Sequence, residues 1–406
     1  MYYNRYMSKI EEYLNKYMNS DCRRLFLDKS PFLDEIMQRY IKAVTACPYI
    51  GDEFIDRLLK INELEIIPYD FNKHVNSGNA DETYDEMVRL KRVKLSFHPN
   101  IALPQNINEV PRDLQGEDLI KYNMAILNQI ETIIHELNHV ACVTKGYIKN
   151  EDGTYRPLTE QDIEKENYTI FFKKGGAMSE RDIVENGRVR HGVNMSLNYL
   201  LEGLTEFLAH EIMGSRYFAD LVYWRAGEKR IDPYDTRWTY DPFVSIVMIL
   251  NRLYNYALVE AYFTGESKQS GYNIDEIYDV EKIDDEISNI AMPIRDLIRI
   301  FSDKESEEKS SAKALAQEIA FGAQSYVNTL VSKVKEMKDK LSDSDMKLIK
   351  HELQNLSKFV PYRDCAEEAI LALTIDEYNE LTQIFSEAFE TIDKSAIDSL
   401  SEGETI

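Results

Sequence analysis

Cysteine is scarce and scattered: Cys22, Cys47, Cys142 and Cys365 are the only four in 406 residues, and no two form a Cys-x-x-Cys pair. This pattern fits reduced thiols in a cytosol better than a disulfide framework. Basic charge is in deficit, with 48 Lys and Arg against 71 Asp and Glu and a formal net charge of −23. Such an excess of negative charge disfavours nucleic acid and anionic membrane surfaces as partners. Its bland consequence is solubility; its sharper one is a preference for basic substrates. Long apolar runs are missing as well. The longest, Phe243 to Leu250, is interrupted by Ser245 and falls far short of a membrane span. The N-terminus opens Met1-Tyr2-Tyr3-Asn4-Arg5-Tyr6 and passes into a charged amphipathic pattern with no apolar h-region. No secretory signal is read there, and a soluble cytoplasmic protein is expected.

Histidine is also sparse, at 7 residues, yet two of them stand four apart in Thr132-Ile133-Ile134-His135-Glu136-Leu137-Asn138-His139. A His-Glu-x-x-His arising by chance in a chain of this length and composition is an event of roughly one in a hundred. Its surroundings are helical. Ala125, Ile126, Leu127, Ile130, Ile133, Ile134, Leu137, Val140 and Ala141 form a broad apolar face, with Asn128, Thr132, His135 and His139 as a polar stripe and Gly146 as the expected stop. Histidines at i and i+4 lie one turn apart on one face. Both imidazoles can therefore reach one metal ion, with Glu136 beside its open position.

The rest of the chain reads as mostly helical. Ile10 to Met18, Phe32 to Val44 and Phe54 to Ile61 are three expected N-terminal helices, punctuated by Pro31 and Pro48. Asn72 to Glu82 reads as a polar loop, and Val93 to Phe97 alternates as a half-buried strand. Tyr168 to Phe172 and Arg188 to Val193 are shorter strand candidates around a turn at Gly175-Gly176. Phe243 to Phe263 reads as one long helix. Beyond it, Glu281 to Phe301, Ala312 to Leu341, Asp345 to Phe359, Cys365 to Leu373 and Tyr378 to Ile392 carry helical spacing, with a charged, serine-rich Ser302 to Ser311 between the first two.

Met195 to Met213 is the second informative helix. Leu197, Leu200, Leu201, Leu204, Phe207, Leu208 and Ile212 mark it as buried, yet Asn198, Glu202, Glu206 and His210 recur every four residues. Carboxylates on a buried helix need an ionic partner or a metal. A catalytic zinc site takes three protein ligands, and the histidine pair supplies two. Cys142 and Lys145 occupy the places where metzincins carry their Gly and third His, so that route is closed. Cys142 itself falls on the apolar side and reads as a core thiol.

Leu201-Glu202-Gly203-Leu204-Thr205-Glu206 resembles the second motif of the gluzincins, the zinc metallopeptidases that include thermolysin-like enzymes and aminopeptidases with an Asn-Glu-Gly motif. Leu201 stands where those aminopeptidases carry Asn. The resemblance implies Zn2+ held by His135, His139 and Glu202, with Glu206 bracing a histidine from behind. It also implies hydrolysis of peptide or protein substrates by a zinc-activated water, with Glu136 as general base and then general acid. His191, Tyr240 and Tyr262 are candidate donors to the oxyanion, the first two favoured. Val93 to Phe97 would be the cleft-edge strand that pairs with an extended peptide.

The expected fold is therefore α+β and predominantly helical. A zincin-like core with a small sheet, residues 81–265, lies between helical regions at 1–80 and 266–406. Two rivals are kept: a non-peptidase zinc hydrolase, and a helical interaction protein with a structural or vestigial metal site.

Overall fold

A computed structural model of the chain describes residues 2–68, 78–107, 109–185, 188–191, 198–226, 241–278, 308–358 and 375–401. It is mixed α+β and predominantly helical, with two small sheets. No helix among the described residues is long and apolar enough to cross a membrane. The expected segments Glu281 to Phe301 and Cys365 to Leu373, and residues 302–307 of the expected Ser302 to Ser311 linker, lie outside the described residues; Glu308 onward is helical.

Helices α1 (Tyr2–Met18), α2 (Asp21–Lys29), α3 (Pro31–Thr45) and α4 (Glu53–Leu58) open the chain. Of these α2 was not expected. Its charged sequence hides it, although Ser20 caps it by accepting from the Arg23 N–H. The first sheet has the order β1 (Ile61–Ile66), β3 (Leu90–Phe97), β2 (Gly78–Tyr84), with β1 parallel and β2 antiparallel to β3. Val93, Leu95 and Phe97 are buried as their alternation predicts. The strand is nevertheless paired on both sides, so it cannot be the cleft edge; among the described residues that position belongs to β1 and β2. Part of the expected Asn72 to Glu82 loop is in fact β2.

Helix α5 (Gly116–Ala141) carries the histidine motif. Ile126, Ile130, Ile133, Ile134, Leu137, Val140 and Ala141 bury its apolar face, each large aliphatic side chain contributing about 1.5–3 kcal/mol. The helix ends well before Gly146. Arg57 Nε donates to the Val140 carbonyl at 2.8 Å and the Val143 N–H to the Tyr262 carbonyl at 2.8 Å, which turns the chain into a strand. Gly146 lies within that strand for a different reason: a Cβ there would stand 2.7 Å from Val88 Cγ2.

The second sheet is fully antiparallel, in the order β5 (Tyr155–Pro157), β4 (Thr144–Lys149), β6 (Asn167–Lys174), β7 (Ala177–Glu185), β8 (Arg188–His191). A short helix, α6 (Glu160–Ile163), interrupts it. Helices α7 (Asn198–Met213), α8 (Ala219–Ala226), α9 (Asp241–Leu253) and α10 (Ala257–Thr264) follow. The expected Phe243 to Phe263 helix is broken, because Asn255 and Tyr256 adopt φ of 49° and 59° and end the helical run between α9 and α10.

The chain divides into two compact units, residues 1–195, 205–237 and 259–269 in one and residues 196–204, 238–258 and 270–406 in the other. Residues 1–80 thus belong to the same unit as the motif helix, with no division near 80. In the second unit the described residues also form α11 (Ile274–Tyr278), α12 (Glu308–Met337), α13 (Asp343–Leu356), α14 (Ile375–Glu390) and α15 (Ser395–Asp398). Ser245 on α9 donates to Glu352 on α13 at 2.7 Å.

Candidate metal centre

The motif helix is fixed to its neighbours by a polar clamp. Asn138, within the motif but with no role read from sequence, is fully buried. Its Oδ1 accepts from the Tyr40 hydroxyl at 2.9 Å and its Nδ2 donates to the Thr205 carbonyl at 3.2 Å, tying α5 to α3 and α7. The far end of α5 is held by Arg57, whose second contact is Glu82 at 2.7 Å; Lys174 reaches the other oxygen of Glu82 at 3.0 Å. Burial works against ionisation of Glu82, but Lys174 and Arg57 overcome it and keep the carboxyl below its ordinary pKa.

On the half-exposed face of α5 the imidazoles of His135 and His139 converge. Their Nε2 atoms are 3.1 Å apart and the rings meet edge to face. Two donors 3.1 Å apart, each about 2.05 Å from a common zinc, subtend about 100° there, close to a tetrahedral angle. Helix α7 runs over Asn198–Met213. Glu202 therefore stands one turn before Glu206, and its carboxylate groups with both imidazoles, all three donor atoms lying within 4.8 Å of one another. Two imidazoles, a carboxylate and partial exposure suit a zinc ion with an open position.

Glu206 does something different. Its Oε2 lies 2.8 Å from His135 Nδ1, so that nitrogen carries the proton and Nε2 is left with its lone pair toward His139. Glu206 is buried, which opposes its charge, yet hydrogen bonds with His135 and His210 hold its pKa down at about 2.

Glu136 is buried between α5 and β2. Gly78 at the start of β2 approaches so closely that a Cβ there would fall 2.7 Å from Glu136 Cγ and 2.8 Å from Oε1. The backbone of an edge strand thus lies directly against the candidate base. Gly78 was not singled out from the sequence, and a lone glycine in a polar stretch offers little signal.

The remaining expected residues fare unequally. His191 ends β8, its backbone opposite Asp182, and its side chain lies outside the described residues. Tyr240 lies outside them altogether. Tyr262 is fully buried, its hydroxyl 2.9 Å from that of Thr205, and so does not face a cleft. Cys142 is a core thiol, its pKa pushed up to about 12 by burial. Among the described residues one other group has metal-ligand spacing, Glu131, Glu206 and His210.

Comparison with protein-family models, curated proteins and solved structures finds no match for this chain. Its function is therefore argued from the site alone.

Proposed function

We propose that this chain is a zinc-dependent metallopeptidase. His135, His139 and Glu202 hold the ion, Glu206 braces His135, and Glu136 moves the proton. The observation that carries the reading is the convergence of the two Nε2 atoms at 3.1 Å with Glu202 beside them and Glu136 on the same turn.

A zinc ion in that set would polarise a carbonyl and make a water molecule acidic near neutral pH. Glu136 accepts the proton of the attacking water as the C–O bond forms, then delivers it to the amide nitrogen as the C–N bond breaks. No proton is gained or lost over the cycle. The close packing of Gly78 limits the room in which Glu136 can swing, which keeps the base near its reactive position. Because β2 rather than β3 is the edge strand beside Glu136, an extended peptide would pair along β2 in the manner of strand addition. His191 or Tyr240 would donate to the developing oxyanion.

The test combines metal content with a single variant. Protein purified and reconstituted with zinc should hold one equivalent, and Glu136→Gln should keep it while losing cleavage of a peptide library. Less than half an equivalent in the wild type, or wild-type cleavage by the variant, would defeat the proposal.

A further inference from the structure

We infer that His210 and Glu131 are positioning residues for the metal centre: with Glu206 they form a polar chain that ends on Nδ1 of His135 and fixes that imidazole toward its metal. The inference rests on the metal-centre reading above.

His210 lies one turn beyond Glu206 on α7 and is buried; Glu131 lies one turn before His135 on α5 and is partly exposed. His210 Nε2 is 2.7 Å from Glu131 Oε1 and 3.5 Å from Glu206 Oε1, while Oε2 of Glu206 is taken by His135. The two helices therefore exchange imidazole and carboxylate twice, once in each direction.

The same three groups have metal-ligand spacing, so a second ion must be weighed against an ion pair. The distances decide. Donors on one tetrahedral zinc stand about 3.3 Å apart, whereas 2.7 Å would close the angle at the ion to about 80°. A separation of 2.7 Å is instead that of a close imidazolium–carboxylate ion pair. The electrostatics agree. Glu206 is buried, and a neutral imidazole on one oxygen offsets little of the cost of its charge. Protonated His210 facing the other oxygen supplies the missing positive charge, and Glu131 holds His210 in that orientation.

The experiment measures zinc affinity by chelator competition and the visible spectrum of the cobalt-substituted protein, for wild type, His210→Leu and His210→Gln. Loss of an indirect brace should fall at the lower end of the usual range, so His210→Leu is expected to bind zinc about 10-fold more weakly and to shift the cobalt spectrum. His210→Gln keeps an N–H donor but not the positive charge and should recover only part of both. Should the leucine variant fail to fold, Glu131→Gln at the exposed end is the substitute and should weaken zinc by about 3-fold, a fraction of that range. Unchanged affinity and spectrum in the variants would overturn the inference, as would a second zinc equivalent in the wild type that His210→Leu removes. A wild type that binds no zinc would instead defeat the metal-centre reading, and this inference with it.

Discussion

Gly78→Ala isolates the placement of the proposed base from everything else in the site. The added methyl would meet Glu136 at 2.7 Å from Cγ, 2.8 Å from Oε1 and 3.0 Å from Cδ, whereas carbon atoms in ordinary contact stand about 3.5 Å apart or more. Glu136 must therefore retreat by about 0.5–1 Å, since β2 is anchored to β3 along its length and Gly78 itself pairs with Phe97. A displacement of that size at a reacting group costs up to about 100-fold in rate. Stability should hardly change. The backbone at Gly78 is not in the left-handed region, so alanine fits there and contributes about 0.4–1 kcal/mol through the unfolded chain, against the local strain. Zinc should stay bound, because the three atoms nearest the new methyl all belong to Glu136 rather than to His135, His139 or Glu202. The assay is turnover of a peptide selected from a library, beside zinc content and the urea midpoint of the same preparation. A 10- to 100-fold fall in turnover at unchanged zinc and midpoint is expected, on the order set by such misplacements. Wild-type turnover would refute the role of Gly78, and loss of zinc together with activity would show that the strand supports the metal rather than the base.

Three further outcomes are expected. Glu202→Ala should lose most zinc affinity, whereas Glu206→Ala should lose about 10- to 100-fold, the usual cost of removing a brace; zinc titration that gave the reverse order would exchange their roles. Asn138→Leu strands the buried Tyr40 hydroxyl and removes the bond to the Thr205 carbonyl, at a cost of about 1–3 kcal/mol in urea unfolding, and a loss below about 0.5 kcal/mol would mean the clamp is dispensable. In metal-free protein burial lowers the pKa of His210, but Glu131 and Glu206 outweigh it and raise the value to about 10. A raised histidine contributes stability that is complete below its unfolded pKa of about 6.5 and is lost as pH climbs toward 10. The fall in unfolding free energy between pH 6 and pH 10 should accordingly be steeper in wild type than in His210→Gln, and parallel profiles would exclude the linkage.

The two helices that carry the site were legible because their signals are local. In α5 the apolar period and the His-Glu-x-x-His spacing coincide, and in α7 a polar stripe every four residues runs through a buried helix. Strand β2 was not legible, and the reason is physical. Asn79, Asp81 and Glu82 belong to residue types depleted in strands. What holds them extended is non-local: pairing with β3, and burial of Glu82 between Arg57 and Lys174. The same applies to the break between α9 and α10. Nothing in the run around Asn255 and Tyr256 announces a break, and a bulky aromatic residue at positive φ is costly enough that sequence reasoning passes over it.

The likeness to a known Glu-Gly motif has a local cause that bears on which glutamate does what. Gly203 is needed where it stands whatever Glu202 binds, since a Cβ there would fall 2.5 Å from Phe243 Cβ and 2.8 Å from the Phe243 carbonyl carbon. Its presence therefore says little about a metal. The assignment rests on the two nitrogens of His135 instead. Glu206 occupies Nδ1, and Nε2, which faces His139, lies across the ring from it. A carboxylate bonded to one nitrogen cannot share an ion with the other nitrogen of the same ring. Spacing of four residues permits either glutamate to be the ligand, but with Glu206 spent on Nδ1, the other carboxylate that groups with both imidazoles is Glu202, one turn earlier on the same helix, which is why it is the one proposed.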